Sequence, residues 1–261
     1  MLHSVFITGA SSGIGRELAI YYAERGAALG LVARRGEKLD FLAEELSNLG
    51  AAVVRCYVVD VADEDALANA AKRYMAEVGV PNIVIANAGV SSGTLTGRSG
   101  DVAAIRRIFE INVFGMVHTF APFVEPMRQA AADGCPVRLV GIASVAGIRG
   151  LPGAEAYSAS KAAVIAYLES LRVELRASKI RVVTIVPGYI ATPMTAINPY
   201  AMPFLLPVDS AAKRFALAIA RGRSYSVIPW QMGLVAKVLR LLPNWLYDRL
   251  FANAPQKPRV L

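Results

Sequence analysis

The chain has 261 residues, of which 55% are hydrophobic and 18% are charged, and its formal net charge is +8. This composition excludes a disordered chain, which needs low hydrophobicity and high charge, and the presence of only two cysteines excludes a small disulfide-stapled domain. The longest uncharged stretch, Val182–Val208, contains five prolines and cannot form a membrane-spanning helix. The two histidines and two cysteines match no metal-ligand spacing, so we expect no metal site.

Short apolar segments alternate with amphipathic segments along the chain. The apolar segments predict seven strands: Ser4–Thr8, Ala28–Ala33, Ala52–Val59, Ile83–Ala86, Val137–Ile142, Arg181–Val186 and Ser224–Ile228. The amphipathic segments predict five helices: Gly13–Arg25, Glu37–Leu49, Ala62–Val78, Asp101–Ala132 and Ala156–Ala177. A glycine follows at or near the end of each of the first four, as is usual at the C-terminus of a helix. This alternation predicts one α/β domain over residues 1–229, with a parallel sheet covered by helices on both faces, and a C-terminal extension over residues 230–261.

The first predicted strand leads into a glycine-rich turn and then into a helix. Glycines in such a turn let the backbone approach a pyrophosphate closely, and the helix N-terminus supplies free N–H donors. An ordinary glycine-rich turn would have the same composition, but the position between the first strand and the first helix favours a dinucleotide-binding loop. The residues assigned to this loop are Gly9, Ser11, Ser12, Gly13, Ile14 and Gly15.

The end of the second predicted strand indicates which dinucleotide the loop binds. An acidic residue at this point would bind the ribose diol of NAD, but here the strand ends in Ala33-Arg34-Arg35 and the next acid is Glu37. Arginine binds phosphate through a planar fork of donors, so Arg34 and Arg35 favour NADP. Two solvated loop arginines are the alternative interpretation.

Tyr157 and Lys161 lie four residues apart in a predicted helix, so their side chains share one face. A nearby ammonium group lowers the pKa of a tyrosine, which lets the pair transfer a proton beside a bound nicotinamide. Ser144 follows the fifth predicted strand, at the sheet edge where α/β proteins bind ligands, and its hydroxyl can donate to a carbonyl.

Several ordered motifs over residues 3–229 resemble those of the short-chain dehydrogenase/reductase family, single-domain branch. They are TGASSGIG at 8–15, VDVAD at 59–63, NAG at 87–89, Asn112, IASVAG around Ser144, YSASK at 157–161 and PGYIATPM at 187–194. The resemblance implies a Rossmann-type, doubly wound sheet of seven parallel strands. It also implies a catalytic tetrad of Asn112, Ser144, Tyr157 and Lys161.

The roles of the tetrad follow from the same resemblance. Tyr157 would be the acid in carbonyl reduction, Ser144 would polarise the carbonyl, and Lys161 would hold the nicotinamide ribose. Asn112 would bind a water connected to Lys161. The further cofactor contacts implied are Asp60 and Val61 at the adenine, Asn87 and Gly89 at the adenosine ribose, and Pro187, Gly188, Ile190 and Thr192 at the nicotinamide.

The segment after PGYIATPM usually covers the substrate in this family, and we assign a lid to about residues 194–222. Met194–Val208 is apolar and carries no charge. This favours an apolar substrate and disfavours a small anionic one, because no lysine or arginine there can bind a carboxylate or phosphate.

The extension, residues 230–261, combines an apolar stripe with two tryptophans and five basic residues against one acidic residue. Two interpretations remain open. The stripe packs on the lid or on a second subunit, or residues 230–251 contact a membrane surface as an interfacial helix does. The extension also has a weaker similarity to that of lipid-related ketoreductases of the same family.

The resulting hypothesis is an NADP(H)-dependent oxidoreductase that interconverts a ketone and a secondary alcohol on an apolar, lipid-like substrate. The alternatives are a non-catalytic regulatory or scaffold protein that binds nucleotide, and a 3-oxoacyl-carrier-protein reductase. The resemblance implies a homodimer or homotetramer formed through the helices at 101–132 and 156–177. We expect a cytoplasmic protein, free or attached to the cytoplasmic face of a membrane, without a nucleic-acid partner.

Overall fold

The structure of the protein, a computed structural model, describes residues 3–261. Its strands are β1 (Ser4–Thr8), β2 (Ala28–Ala33), β3 (Val53–Val58), β4 (Ile83–Ala86), β5 (Arg138–Ile142), β6 (Arg181–Pro187), β7 (Ile190–Ala191), β8 (Leu206–Pro207) and β9 (Tyr225–Ile228). Seven of them form a parallel sheet in the order β3-β2-β1-β4-β5-β6-β9, and β7 pairs with β8 outside it. The seven-stranded, doubly wound α/β fold predicted from the sequence is confirmed.

Helices connect the strands and cover the sheet. They are α1 (Gly13–Ala23), α2 (Gly36–Asn48), α3 (Glu64–Val78), α4 (Asp101–Phe109), α5 (Gly115–Ala132), α6 (Glu155–Glu174), α7 (Pro193–Ala196), α8 (Val208–Ala220), α9 (Trp230–Leu241) and α10 (Asn244–Phe251). Helix α3 begins two residues later than the predicted Ala62, because Asp63 caps it: its Oδ1 atom accepts a hydrogen bond from the Ala66 amide at 2.9 Å.

The predicted helix over 101–132 is divided into three parts. A single π-helical turn, Glu110–Phe114, separates α4 from α5. The side chain of Asn112, inside this turn, is tied to the loop after β4 by two hydrogen bonds with the backbone of Val90. Apolar periodicity continues through such a turn, so the sequence pattern did not reveal it.

Apolar side chains form one core on each face of the sheet. In β1, Val5 and Ile7 belong to the core covered by α1, α2 and α8, whereas Phe6 belongs to the core covered by α3, α5 and α6. Because the strands are parallel, their carboxyl ends meet at one edge of the sheet. The order of the strands reverses between β1 and β4, and such a reversal is where α/β sheets bind ligands.

The lid assigned to residues 194–222 is divided by the structure. Helix α8 packs against α1, with Phe215 and Ile219 fully buried, so it belongs to the body of the domain. The part of the assigned segment that precedes α8 contains α7 and β8, and β8 pairs with β7. Within residues 3–261, every helix is too short or too polar to cross a membrane.

Candidate active site

A cavity of about 260 Å³ lies at the carboxyl ends of the strands, beside the reversal point. It brings together residues from eight separate segments of the chain. The residues assigned from the sequence that line it are Gly9, Ser11, Ser12, Gly13, Ile14, Arg34, Arg35, Asp60, Val61, Asn87, Gly89, Ser144, Tyr157, Lys161, Pro187, Gly188, Ile190 and Thr192. Gly15 and Asn112, which were also assigned from the sequence, do not line the cavity.

The glycine-rich loop is packed closely against the loop after β4. Gly9 has φ +68°, and a Cβ atom there would lie 2.8 Å from the Cα atom of Ala88. A Cβ atom at Gly15 would lie 2.4 Å from the carbonyl oxygen of Gly9. The Asn87 side-chain amide donates to the carbonyl oxygens of Thr8 and Gly9 at 3.0 and 3.2 Å. Asn87 therefore holds the loop in shape, in addition to lining the cavity.

Helix α1 begins at the cavity without a side-chain cap on its first amides, which leaves these donors available to an anion. The hydroxyls of Ser11 and Ser12 instead accept hydrogen bonds from Arg35 at 2.9 and 3.1 Å. Arg34 lies nearby with its side chain 59% exposed. The loop, the helix N-terminus and the two arginines together form a region that can hold phosphate groups.

Asp60 forms ion pairs with two arginines at the far end of the cavity. Its Oδ2 atom contacts Arg107 and lies 3.7 Å from Arg34, and its Oδ1 atom accepts a hydrogen bond from the Ala62 amide at 3.1 Å. Burial acts to raise the pKa of Asp60, but the Ala62 amide and the two guanidinium groups outweigh it and the pKa is lowered. Arg107 was not predicted from the sequence as part of the site, and its contact with Asp60 places it there.

Ser144 caps the short 3₁₀ turn Val145–Gly147 that follows β5. Its Oγ atom accepts a hydrogen bond from the Ala146 amide at 3.2 Å. Since this contact uses only a lone pair, the hydroxyl proton can be donated to another group. A Cβ atom at Gly147 would lie 2.5 Å from the backbone of Lys161, so glycine is needed to bring this turn against α6.

Tyr157 and Lys161 project from α6 into the cavity. The Lys161 Nζ atom donates a hydrogen bond to the Ile142 carbonyl at 2.9 Å and lies 6.0 Å from the centre of the Tyr157 ring. Burial lowers the pKa of Lys161 to about 8. Burial also raises the pKa of Tyr157, and the Ser144 side chain acts in the opposite direction. Hydroxyl, phenol and amine therefore meet in one site.

The buried side chain of Asn112 is held by three hydrogen bonds. Its amide nitrogen donates to the Val90 carbonyl and to the Ser160 hydroxyl, each at 3.0 Å, and its Oδ1 atom accepts from the Val90 amide at 2.8 Å. Both of its N–H groups are therefore used within the protein. The water contact implied by the family resemblance would have to involve the remaining lone pair of Oδ1 or the backbone.

The extension contacts the loop that follows Ser144. Arg149 donates hydrogen bonds to the carbonyls of Leu239 and Leu242, both at 2.9 Å, and its guanidinium lies 4.1 Å from the centre of the Tyr247 ring. The Tyr247 hydroxyl donates to the Gly150 carbonyl at 2.6 Å. The opposite side of α9 and α10 stays exposed and apolar, through Trp230, Leu234, Val238, Leu241, Trp245 and Leu250.

A second lysine, Lys257 from the end of the chain, lies close to the ring of Tyr157, although it does not line the cavity itself. The Lys257 Nζ atom lies 5.5 Å from the centre of the Tyr157 ring. Lys257 lies outside the lid and was not predicted from the sequence as a site residue. No local pattern could have identified it, because it is the folding of the extension that brings it to Tyr157. Among the residues that the structure describes, no group of His, Cys, Asp and Glu could hold a metal ion.

Comparison with known proteins identifies relatives along most of the chain. A family model described as short chain dehydrogenase matches residues 3–200. An uncharacterized oxidoreductase of Myxococcus xanthus is 37% identical over 245 residues, which cover 94% of each chain. The 11-beta-hydroxysteroid dehydrogenase-like 2 protein of Arabidopsis thaliana is 32% identical over 258 residues, which cover 95% of this chain and 82% of that protein.

Solved structures agree with this result. A short-chain dehydrogenase from Sphingobium yanoikuyae in complex with NADPH has a TM-score of 0.79 and 27% sequence identity, with 99% of each chain covered. Other structures of similar fold contain NADP in one case and NAD in another, so the fold alone leaves the choice of cofactor open. The family model, the relatives and the sheet order agree: this chain belongs to the short-chain dehydrogenase/reductase family of oxidoreductases.

Proposed function

We propose that the protein is an NADP(H)-dependent oxidoreductase that interconverts a ketone and a secondary alcohol on an apolar substrate. The observation that carries the proposal is the convergence of Ser144, Tyr157 and Lys161 on the cavity that also contains the glycine-rich loop and two arginines. The first three residues provide carbonyl polarisation and proton transfer, and the others suit a phosphate-bearing dinucleotide.

Each part of the cavity has a place in cofactor binding. The loop from Gly9 to Ile14 and the N-terminus of α1 would hold the pyrophosphate, and Arg34 and Arg35 would hold the 2′-phosphate. Asp60 does not oppose this charge, because Arg107 and Arg34 pair with it. NADPH, when bound, supplies the hydride for the reduction.

The protein's own groups move the proton. The hydroxyl group of Ser144 would donate a hydrogen bond to the substrate carbonyl and polarise it. Tyr157 would protonate the carbonyl oxygen during reduction and accept the proton during oxidation. Burial raises the pKa of Tyr157, and the Ser144 side chain lowers it in part. The ammonium group of Lys161 would further favour the phenolate form.

The lid supports an apolar substrate. Tyr200, in the lid, lies near Tyr189 and Tyr157. Burial, together with these two neighbouring phenol groups, raises the pKa of Tyr200 to about 12. The neighbouring lid side chains Ile197, Phe204 and Leu205 are exposed although they are apolar. A relative named for 11-beta-hydroxysteroid dehydrogenase is consistent with a large apolar substrate for this chain.

A substrate screen tests the proposal. Purified protein is mixed with NADPH or NADH and with a panel of steroid ketones, long-chain ketones and 3-oxoacyl groups, the last both free and bound to carrier protein. We expect NADPH oxidation with free apolar ketones. A strong preference for carrier-bound substrates would favour a 3-oxoacyl-carrier-protein reductase, and cofactor binding without any turnover would favour a regulatory protein.

We also propose that the protein forms a homodimer or homotetramer through α4, α5 and α6. Exposed apolar side chains on or between these helices support this proposal: Val102, Phe114 and Val173. Their burial between subunits would remove apolar surface from water. Sedimentation velocity measures the number of subunits.

We propose that residues 230–251 contact a membrane surface. Trp230 and Trp245 are 68% and 70% exposed, and basic residues lie on the same two helices. In the variant with Trp230→Ser and Trp245→Ser, we expect the loss of flotation with vesicles that contain phosphatidylserine, because the apolar groups that insert are gone. Binding by the unchanged protein should weaken with salt.

A variant of a buried residue on the same helices is the control. Tyr247→Phe removes the hydrogen bond to Gly150, and it should lower the free energy of unfolding by about 1 kcal/mol while vesicle binding stays unchanged. Full-length protein that does not bind these vesicles at low salt would contradict the membrane proposal. The exposed side of α9 and α10 would then be assigned to subunit contact.

A further inference from the structure

After α10 ends at Phe251, the last ten residues return to the active-site side of the domain. Three contacts hold this C-terminal tail, residues 252–261. The Pro258 carbonyl accepts a hydrogen bond from the Gly93 amide at 2.8 Å, and the Val260 amide donates to the Ser92 hydroxyl at 3.0 Å. The Arg259 guanidinium donates to Oδ2 of the buried Asp101 at 2.8 Å. The end of the tail is therefore bound to the loop after β4 and to the start of α4.

Two glycines make room for the tail on either side of Lys257. A Cβ atom at Gly93 would lie 2.0 Å from the Lys257 carbonyl oxygen. Gly153 has φ +70°, and a Cβ atom there would lie 2.7 Å from the Gln256 side chain. The backbone of Lys257 is thus fixed by close contacts with two loops of the catalytic domain.

These contacts bring the Lys257 side chain to the acid/base group of the site. Its Nζ atom lies 5.5 Å from the centre of the Tyr157 ring, and that of Lys161 lies 6.0 Å from the same point. The two amines differ in their partners. Lys161 donates to the Ile142 carbonyl, whereas the Lys257 amine has no hydrogen bond or ion pair within residues 3–261.

A half-buried amine without a counter-ion is unfavourable, because part of its hydration is lost and nothing replaces it. Burial accordingly lowers the pKa of Lys257, with no acidic side chain opposing the shift. An anion bound beside Tyr157 would reverse this effect and restore the favourable environment of the charge. The amine is positioned for a group that the protein itself does not provide.

We propose that Lys257 binds a carboxylate of the substrate, next to the carbonyl or alcohol that reacts at Tyr157. This inference rests on the proposed oxidoreductase function and defines its substrate class: an apolar ketone or secondary alcohol that carries an acidic group near the reacting carbon. Met194–Val208 of the lid is apolar and carries no charge, and the tail contributes the cation. It differs from the expectation that the uncharged lid disfavours a small anionic substrate, because the cation comes from the tail and the substrate is larger and largely apolar.

A matched pair of probes separates this role from an effect on Tyr157. The unchanged protein and its variants reduce 4-oxodecanoate and the methyl ester of 4-oxodecanoate with NADPH. In Lys257→Met we expect kcat/KM for the acid to fall about 10- to 150-fold, the value of a charge-assisted hydrogen bond, with little change for the ester. Lys257→Arg should retain most of the preference for the acid.

Two further variants control for charge and for the position of the tail. Lys72→Met removes an exposed lysine from α3 and should leave both substrates unaffected. Gly93→Ala keeps Lys257 but displaces the tail, and it should lose the preference for the acid as Lys257→Met does. Equal losses for acid and ester in Lys257→Met would overturn the proposal, because Lys257 would then act through Tyr157.

A binding measurement keeps this inference separate from the proposed function. Decanoate and decanamide are titrated calorimetrically into protein saturated with NADP, where no turnover occurs. We expect decanoate to bind at least about 10-fold more tightly than decanamide, with the difference lost in Lys257→Met. Failure of both ketones to react, with this result intact, would count against the proposed reaction alone. Absent or unselective decanoate binding would overturn the role of Lys257.

Discussion

Replacement of Tyr157 by phenylalanine is expected to lower kcat by about 10²- to 10⁴-fold, which is the usual contribution of a positioned general acid or base. The change removes one hydroxyl and leaves the ring, so the packing around α6 stays in place. Lys161 keeps its hydrogen bond to the Ile142 carbonyl. Affinity for NADP should therefore change little, and the loss should appear in turnover with any ketone that the protein reduces.

Tyr167→Phe is the matched control for this prediction. It removes the same atom from the same helix, outside the cavity, and should leave kcat within about twofold, since surface substitutions have small effects. Lys161→Met should behave differently from both, with loss of NADP affinity as well as turnover. Undiminished turnover in Tyr157→Phe, measured under steady-state conditions with NADP binding unchanged, would remove Tyr157 from the mechanism.

The sheet could be predicted closely because each strand is a short apolar run. Buried parallel strands are apolar on both sides, so β1, β4 and β6 stand out from the amphipathic segments between them. The spacing of Tyr157 and Lys161 was equally informative, because residues four apart on a helix share a face. Both predictions depend on the local spacing of residues in a strand or a helix, and the structure has a strand or a helix at each of these places.

The parts of the site that were missed depend on contacts between segments far apart in the chain. Arg107 on α4 reaches Asp60 after β3, and Lys257 reaches Tyr157 on α6. Neither contact leaves a pattern in the local sequence. The π turn around Asn112 was missed for a related reason: it is held by bonds to Val90 and Ser160, and the apolar spacing on either side does not change.

Apolar composition alone does not distinguish a covering segment from a core helix within the segment assigned to the lid. Met194–Val208 and α8 are both rich in apolar residues. In α8 these residues form a stripe that buries Phe215 and Ile219 against α1, whereas Ile197 and Phe204 remain exposed near the cavity. The helical period of α8 was the signal that separates the two, because a continuous stripe needs a surface to pack on.

The choice between NADP and NAD should depend on Arg34. We expect Arg34→Ala to reduce the preference for NADP over NAD by about 10- to 150-fold, because a charge-assisted hydrogen bond contributes about 1.5–3 kcal/mol. The Arg34 side chain is largely exposed and lies 3.7 Å from Asp60, so it can reach a 2′-phosphate without losing a strong protein contact. Removing it also leaves Asp60 with one arginine fewer, and the remaining negative charge would repel the phosphate.

Arg35→Ala is the contrasting variant, and it separates selectivity from loop support. Arg35 donates to the hydroxyls of Ser11 and Ser12 in the glycine-rich loop, so its loss should weaken the binding of NAD as well as NADP. Steady-state kinetics with both cofactors gives kcat/KM for each variant, and the ratio for Arg34→Ala should fall further than the ratio for Arg35→Ala. An unchanged protein that already prefers NAD would contradict the assignment of both arginines to the 2′-phosphate, and the cavity would then be a site for NAD with two solvated arginines at its edge.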